Sequence, residues 1–256
     1  MSAVMQSDKK MRGGIPQWFW LAATFAGAQL LFAAFPHVDI WVSSLFYSQE
    51  HGFWLNGEPG LQILREVILY SSVLLFLAAL VLWPASARDW FYTGAPPQIW
   101  GFIVALYLSG PVLIVNGVLK KFSGRARPAQ IHEFGGTREF SPAFELADQC
   151  EKNCSFVSGE GSAAVVLFIS VMVLLRHLPS KRYFPAIRVA AATLAVLGLF
   201  LRAAKGRHFL SDTVFAVLIM TALAYLIHQI CFSRSLFRNG APTPGPRPPA
   251  APARGR

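Results

Sequence analysis

The chain has 256 residues, of which 54% are hydrophobic and only 14% are charged. Soluble domains carry about a quarter charged residues, so this composition excludes an ordinary soluble protein and indicates a lipid bilayer. The formal net charge is +10. Because the apolar content leaves no large soluble face, the basic excess points to a membrane surface or a phosphorylated substrate, and we expect no nucleic-acid partner.

Six apolar segments are long enough to cross a bilayer, which takes a helix of about 20 residues. No segment alternates with the period of two that a membrane barrel requires. We therefore predict an all-α fold, a six-transmembrane helical bundle. Its spans lie at about 16–36, 66–83, 98–118, 156–176, 186–202 and 211–232.

Lys and Arg in the short hydrophilic segments predict the orientation of these spans. They flank the start of span one and the link between spans four and five, and they recur in the tail, which places these segments in the cytoplasm. We divide the chain into a cytoplasmic segment 1–15, a membrane domain 16–232 and a Pro-rich tail 233–256 that we expect to be disordered. Both termini are then cytoplasmic.

The external loop 119–155 breaks this charge rule, because it opens with the string KKFSGRARP. The ordinary interpretation is a juxtamembrane patch whose long side chains reach the lipid headgroups. That interpretation leaves the external location unexplained, so we favour an anionic ligand at the outer face. The cations concerned are Lys120, Lys121, Arg125 and Arg127.

Two cysteines, Cys150 and Cys154, lie near the end of the same loop. In an oxidising compartment they are placed to form a small disulfide that fixes the approach to span four. The alternative is two free thiols, and no clustered partner supports a metal site there.

Span four opens with the string SFVSGEGSAA, residues 155–164. Ser158 and Gly159 are placed to cap a helix, whose free N–H groups can bind an anion. Glu160 by itself is equally consistent with an acidic residue in a first turn, where the helix dipole stabilises it.

The stretch LRAAKGRHFLSDTV, residues 201–214, links spans five and six. His208 and Asp212 are four positions apart, a spacing that puts two side chains on one face of a helix. The carboxylate can then hold one imidazole N–H and leave the other ring nitrogen free to attack. The alternative is that Ser211 or Asp212 caps span six and His208 has no role.

Together these segments supply what phosphoryl transfer needs: cations and backbone donors for the equatorial oxygens, a nucleophile and an acid. Their order and spacing resemble the three-part signature of the phosphatidic acid phosphatase type 2 superfamily, which also includes the vanadium haloperoxidases. The resemblance covers about residues 98–232. The matching residues are Lys120, Arg127 and Pro128; Ser158 and Gly159; and Arg202, His208 and Asp212.

The resemblance implies a role for each of these positions. The substrate phosphate is expected to be bound by Lys120, Arg127, Ser158, Gly159 and Arg202. His208 is expected to be the nucleophile that forms a phosphohistidine, and Asp212 is expected to orient it. We expect no metal and no cofactor, because the protein's own cations would carry the charge.

The second motif departs from the family pattern at Glu160, where the family has a His that protonates the leaving group. Leu201 also stands where a Ser commonly precedes the Arg. We predict that Glu160 takes over as general acid, with a proton held by burial. The alternative is an ionised Glu160 that clamps Lys120 or Arg127, while water or His132 supplies the proton.

The sequence thus predicts a lipid phosphatase of the bacterial inner (cytoplasmic) membrane, with its active site at the periplasmic ends of spans three to six. Its substrate would be a lipid phosphomonoester or diphosphate. The candidates are a lipid A phosphate, undecaprenyl diphosphate, phosphatidic acid and phosphatidylglycerol phosphate. Two alternatives stay open: a lipid phosphotransferase that uses the same residues, and a non-catalytic binder or transporter of anionic lipids. The haloperoxidase branch is disfavoured, because the resemblance implies soluble proteins there.

Overall fold

The computed structural model describes residues 16–90, 93–177 and 181–238, with side chains as far as residue 232. The described chain is mostly helical. The predicted segment 1–15 and the tail beyond 238 lie outside the described residues. The helices are α1 (Gln17–Ala34), α2 (His37–Ser44), α3 (Pro59–Ala87), α4 (Pro97–Tyr107), α5 (Lys120–Phe122), α6 (Gly159–Leu174), α7 (Phe184–Ala204) and α8 (Leu210–Arg238).

Smaller elements connect these helices. Two short antiparallel strands, β1 (Tyr47–Ser48) and β2 (Gly52–Phe53), form a hairpin between α2 and α3. A π-helical stretch, Leu108–Leu119, joins α4 to α5. It contains Pro111, which lacks the N–H that an α-helical turn requires and so favours a local change in helix type. The whole segment Pro97–Phe122 therefore runs as one long helical span.

Four helices in the described chain are long and apolar enough to cross a membrane. They are Pro59–Ala87, Pro97–Phe122, Phe184–Ala204 and Leu210–Phe232. Helices α1 and α2 meet at a bend of 82° and count as a fifth if they form one broken span. Helix α6 is apolar but has only 16 residues. It is shorter than the predicted span 156–176, because residues 156–158 belong to the loop that precedes it. The count of six spans stays a prediction.

Helix α3 shows why these helices belong in lipid. Its buried positions include the small or polar residues Ser72 and Ala79, whereas large apolar side chains point outward at intervals of three and four. Such an outward apolar face is the reverse of a soluble helix and suits contact with acyl chains. The exposed residues are Ile63, Val67, Tyr70, Leu74, Leu77 and Val81.

The core of the bundle surrounds α4 and the π-helical stretch that follows it. Helix α4 packs against α3, α6 and α8 and buries Trp100, Ile103 and Leu106. Gly110 allows the π-helical stretch to approach α8 closely, since a Cβ atom there would lie 2.7 Å from the sulfur of Met220. Small residues at helix contacts are how membrane helices gain packing where no hydrophobic driving force exists.

A second apolar cluster holds three loops together at one end of the bundle. It joins Phe53 of β2 to Ile131 and Phe134 of the long loop and to Phe209, which precedes α8. The loop between α3 and α4 meets the end of α6 at the opposite end, where Thr93 and His177 share a cavity. The segments that carry the sequence motifs therefore converge at a single end of the molecule.

Candidate active site

A cleft of about 650 Å³ opens at this end, between α3, the π-helical stretch, α6 and the α7–α8 turn. His208, Gly159 and three Asn side chains contribute to its wall. The charged side chains of its lining are mostly positive, since Glu160 is the only carboxylate in the described wall. The cations of the lining are Arg65, Lys120, Arg127, Arg202, Lys205 and Arg207.

The turn between α7 and α8 brings Arg202 and His208 together. The backbone N–H groups of Arg207 and His208 both donate to the Arg202 carbonyl, at 3.0 and 3.1 Å. Gly206 makes this turn possible, because its φ of +63° is costly for other residues and a Cβ atom would lie 2.5 Å from the Phe53 ring. A tight turn thus fixes a cation beside the imidazole.

The His208 ring is buried and held in one tautomer. Its Nδ1 donates to the carbonyl of Ser155 at 2.7 Å, since a carbonyl can only accept. Its Nε2 has no hydrogen-bond partner among the described residues, and the ring lines the cleft. Burial lowers the pKa of His208 to about 4, although Asp212 acts against that shift. At neutral pH the ring is therefore neutral, with a free lone pair on Nε2.

Asp212 does not make the direct hydrogen bond to His208 that the sequence spacing suggests. The distance from Nδ1 to Asp212 Oδ2 is 3.7 Å. His208 precedes the first residue of α8, so the helical four-residue spacing does not apply to the pair. Asp212 instead accepts from the Ser155 hydroxyl and, at 2.9 Å, from the N–H of Phe209, as an acidic residue in a capping box does. Asp212 is therefore connected to the ring indirectly, because Ser155 hydrogen-bonds to Asp212 through its hydroxyl and to His208 through its carbonyl.

Arg125 is the most buried cation of the site region, and it faces away from the cleft. Its guanidinium donates to Asp212 at 2.7 Å and to Asp39 of α2 at 2.8 Å. It also lies over the ring of Phe209, 4.4 Å from the ring centre. The sequence predicts that Arg125 belongs to a cluster of cations that binds an anionic ligand. In the structure its guanidinium instead pairs with two buried carboxylates.

Asn153 orients the two cations of the first motif. Lys120 Nζ donates to the Asn153 side chain at 3.0 Å, and Arg127 donates to the Asn153 carbonyl at 2.8 Å. Cys150 and Cys154 form a disulfide around this residue, which was one of the two alternatives from the sequence. No sequence motif singles out Asn153, although the bracketing cysteines indicate a constrained segment.

Gly159 allows the Lys120 side chain to pass close to the start of α6. A Cβ atom at this position would lie 3.3 Å from Lys120 Cε, tighter than most such contacts. Ser158 is the N-cap of α6, and its hydroxyl accepts from the N–H of Gly161 at 3.1 Å. Gly159 lines the cleft, but Ser158 is not among the lining residues.

Glu160 forms ion pairs with two guanidinium groups. It binds Arg65 of α3 in a bidentate pair at 2.7 and 2.6 Å, and it lies 3.3 Å from Arg202. A bidentate pair of this kind requires the ionised carboxylate, which has no proton to donate. The geometry therefore favours the clamp over the general acid, with partners other than the expected Lys120 and Arg127. Arg65 lies 95 residues earlier in the chain, so no local spacing could reveal it.

Two cations of the α7–α8 turn have no partner within the described chain. Lys205 is 4% exposed and Arg207 is exposed, yet neither side chain makes a hydrogen bond or an ion pair there. Burial and the neighbouring guanidinium groups lower the pKa of Lys205. Burial and the charge of Arg207 likewise lower the pKa of Arg127. The cleft thus holds cations that repel one another.

Other candidate groups lie outside the cleft. His132, the alternative proton donor, is exposed and lies 3.4 Å from Glu139. Across residues 16–90, 93–177 and 181–238, no group of three or more His, Cys, Asp or Glu side chains is placed to hold a metal ion. Within these ranges the charge available to an anion comes from Lys, Arg and backbone N–H groups.

Comparisons with known proteins identify the family of the chain. A family model described as the PAP2 superfamily matches residues 98–235. The lipid A 4'-phosphatase of Rhizobium leguminosarum is 33% identical over 77% of this chain and 86% of its own length. The lipid A 4'-phosphatase of Francisella tularensis subsp. novicida (strain U112) is 29% identical over 81% of this chain and 92% of its own. No solved structure matches.

Proposed function

Since this chain belongs to the PAP2 superfamily, we propose that it is a membrane lipid phosphatase whose nucleophile is His208. The observation that carries this proposal is the state of the imidazole. The ring is neutral and buried, its Nδ1 is tied to Ser155, its Nε2 has no partner in the described chain, and the ring lines a cleft of cations. This is the arrangement that nucleophilic attack on a phosphoryl group requires.

The proposed reaction has two steps. The lone pair of His208 Nε2 attacks phosphorus, the bond from phosphorus to the lipid oxygen breaks, and a phosphohistidine forms. Water then attacks the phosphohistidine, which releases inorganic phosphate and restores the imidazole. Lys120, Arg127, Arg202 and the N–H of Gly159 at the start of α6 bind the equatorial oxygens in both steps. The reaction needs no metal, because these groups supply the positive charge.

The proton for the leaving oxygen comes from water in this proposal. Glu160 is ionised in its pair with Arg65, so its role is to hold Arg65 and Arg202 in the cleft wall. A water molecule that enters the cleft with the substrate is then the donor, and the hydroxide that it leaves is the group that attacks the phosphohistidine in the second step. This assignment replaces the general acid that the family pattern would put at position 160.

The substrate that we propose is lipid A, hydrolysed at its 4'-phosphate. The relatives that align over most of their own length carry this activity in their names. A polar cleft at one end of an apolar bundle suits a lipid whose headgroup enters the cleft while its acyl chains stay beside the helices. We place the protein in the inner membrane, with the cleft on the periplasmic side and both termini in the cytoplasm.

The experiment measures phosphate release by the purified chain from lipid A, phosphatidic acid, phosphatidylglycerol phosphate and undecaprenyl diphosphate. Mass spectrometry of the lipid A product identifies the phosphate that is lost. We expect release from lipid A at the 4' position, and a phosphoenzyme that is trapped by acid quenching. Phosphate that moves to a second lipid instead would indicate a phosphotransferase, and binding without any turnover would indicate a lipid binder.

A further inference from the structure

The Lys205 side chain is the least explained charge in the cleft. It is 4% exposed and lines the cleft, but it makes no hydrogen bond or ion pair within the described chain. Its Nζ is not one of the buried, unpaired nitrogens of the described chain, so the ammonium group opens into the cleft. An anionic ligand in the cleft can therefore reach it and supply the counter-charge that the protein does not.

The balance of charge in the whole cleft also favours an anionic ligand near Lys205. Six cations line it, and Glu160 is the carboxylate beside them. A phosphomonoester dianion together with Glu160 would offset only half of these charges. Lys205 lies among Arg65, Arg202 and Arg207, and these neighbours add to burial in lowering its pKa. A second anion in this part of the cleft would relieve that repulsion.

Lys205 and Arg207 also belong to a different segment from the pair that Asn153 orients. Asn153 contacts Lys120 and Arg127 directly. Lys205 and Arg207 lie on the α7–α8 turn, on either side of Gly206, and neither side chain hydrogen-bonds to Asn153 in the described chain. We propose that Lys205 and Arg207 form a second anion subsite, which binds a phosphate or carboxylate group that the substrate carries beside the phosphate to be hydrolysed. This proposal rests on the proposed function for the identity of the first phosphate.

Calorimetric titration of the full-length chain in detergent tests the subsite without any turnover. The probes are methylphosphonate, with one anionic group, methylenebisphosphonate, with two phosphonates, and phosphonoacetate, with a phosphonate and a carboxylate. We expect one doubly anionic molecule to bind per chain, with a Kd about tenfold below that of methylphosphonate. Lys205→Gln should remove most of this gain, and the matched variant Lys181→Gln, at an exposed lysine outside the cleft, should keep it.

Several results would overturn the subsite. One is an equal Kd for the singly and doubly anionic probes in the unaltered chain. Another is a gain that survives in Lys205→Gln. Two methylphosphonate molecules bound per chain, with no gain from linking the anions, would indicate two independent anions instead of one substrate. A gain for only one doubly anionic probe would identify its second group as the ligand. Because no turnover is measured, these results are independent of the lipid assay that tests the proposed function.

A second inference concerns α2, which lies outside the segment matched by the family model. Asp39 of this helix is 1% exposed, and its Oδ1 accepts from the N–H of Ser211 at 2.8 Å. Its Oδ2 accepts from Arg125 at 2.8 Å and from the Ser211 hydroxyl. The bend after α1 brings this carboxylate to the start of α8.

Arg125 carries the connection onward to the imidazole. Its Nη1 donates to Asp212 Oδ1 at 2.7 Å, and Asp212 Oδ2 accepts from the Ser155 hydroxyl. The Ser155 carbonyl accepts from His208 Nδ1. Every member of this chain of hydrogen bonds is buried, where such bonds are strong and an unpaired member is costly.

We infer that Asp39 and Arg125 are positioning residues for His208 and act through Asp212 and Ser155. The two carboxylates share one guanidinium, so the network keeps a surplus negative charge. That charge stabilises the imidazole ring when it becomes positive on forming the phosphohistidine. Helix α2 is then part of the active site, although no atom of Asp39 lines the cleft.

A double-mutant cycle between Asp39→Asn and Asp212→Asn tests this inference. We expect Asp39→Asn to lower kcat about tenfold and to leave KM within about twofold, since it touches no substrate. In the Asp212→Asn background the same change should lower kcat by less than about twofold, because the hydrogen bonds through which Asp39 acts on His208 are already disrupted. Asp89→Asn, at the opposite end of the bundle, is the matched control.

Losses that multiply in the double variant, or a rise in KM instead of a fall in kcat, would overturn the positioning role. If Asp39→Asn does not fold, Ser211→Ala replaces it, because this variant removes the hydroxyl that donates to Asp39 and accepts from Arg125 but keeps every charge. Thermal unfolding of each variant is measured in parallel. A loss of stability with unchanged kcat would show that the network is only structural.

Discussion

The α7–α8 turn and the start of α6 form two sides of one cleft, and they differ in how their polar groups are satisfied. On the α7–α8 turn, the imidazole of His208 has one nitrogen tied to the backbone and the other free. At the start of α6, both oxygens of Glu160 are occupied by guanidinium groups. One side therefore presents a reactive atom, while the other presents a closed ion pair.

This difference indicates which chemistry the protein itself supplies. A free nitrogen on a neutral ring already has the lone pair that forms a bond to phosphorus. A paired carboxylate has to lose its partners before it can hold a proton. We therefore expect variants on the His208 side to lower kcat severely for every substrate. Variants on the Glu160 side should lower kcat less, and by similar factors for different substrates.

The largest effect is expected for His208→Ala. Removing the nucleophile should lower kcat about 10⁴-fold or more, since His208 supplies the only imidazole in the described lining of the cleft. Phosphate release from lipid A measures the loss, and acid-quenched labelling should detect a phosphoenzyme only in the unaltered chain. His132→Ala is the matched control, because that ring is exposed and outside the cleft. Normal turnover by His208→Ala would contradict the mechanism.

Asp212→Asn should have the next largest effect, a fall in kcat of about 10²-fold. The change removes a charge that holds Ser155 and pairs with Arg125, so the ring loses its support but keeps its nucleophilic atom. Steady-state kinetics on lipid A measure it, and membrane yield and thermal unfolding serve as controls for folding. A loss as complete as that of His208→Ala, in a folded variant, would mean that Asp212 takes a direct part in the chemistry.

Glu160→Gln should cost about tenfold in kcat, by a similar factor for lipid A and for p-nitrophenyl phosphate. A general acid matters for a poor leaving group such as an alkoxide and hardly matters for p-nitrophenolate. A positioning ion pair has no such dependence, because it acts on the phosphate contacts of both substrates. Glu139→Gln is a matched control at an exposed site outside the cleft. A loss confined to the lipid substrate would restore Glu160 as the acid.

The sequence predicts the parts of this site that depend on spacing within one segment. The turn from Arg202 to His208 is one example, and the capping of α6 by Ser158 is another. The membrane helices follow from apolar length, and predicted spans such as 186–202 come close to α7 (Phe184–Ala204). These features depend on local geometry, which a single sequence contains.

The pairing of distant charges could not be predicted in the same way. Arg65 and Glu160 are 95 residues apart, and Asp39 and Arg125 are 86 apart. Each is consistent with several partners until the helices pack. Asp39 in particular lies between the predicted spans 16–36 and 66–83, where the structure forms α2. Packing, and not spacing, decides which carboxylate meets which guanidinium.

The smallest effect is expected from metal removal. The wall of the cleft carries Lys and Arg, and the start of α6 adds backbone N–H groups, so the phosphate oxygens have positive partners without an added ion. Treatment with EDTA should therefore leave kcat on lipid A within about twofold of the untreated value. Orthovanadate, which adopts the trigonal bipyramidal geometry of the transferring phosphoryl group, should inhibit in the presence of the chelator. The matched control is His208→Ala, where vanadate would lose the nitrogen that completes its coordination and should bind more weakly. Loss of activity in EDTA that Mg²⁺ restores would contradict this assignment of charge, and it would require a metal partner for the phosphate that the cations of the cleft do not replace.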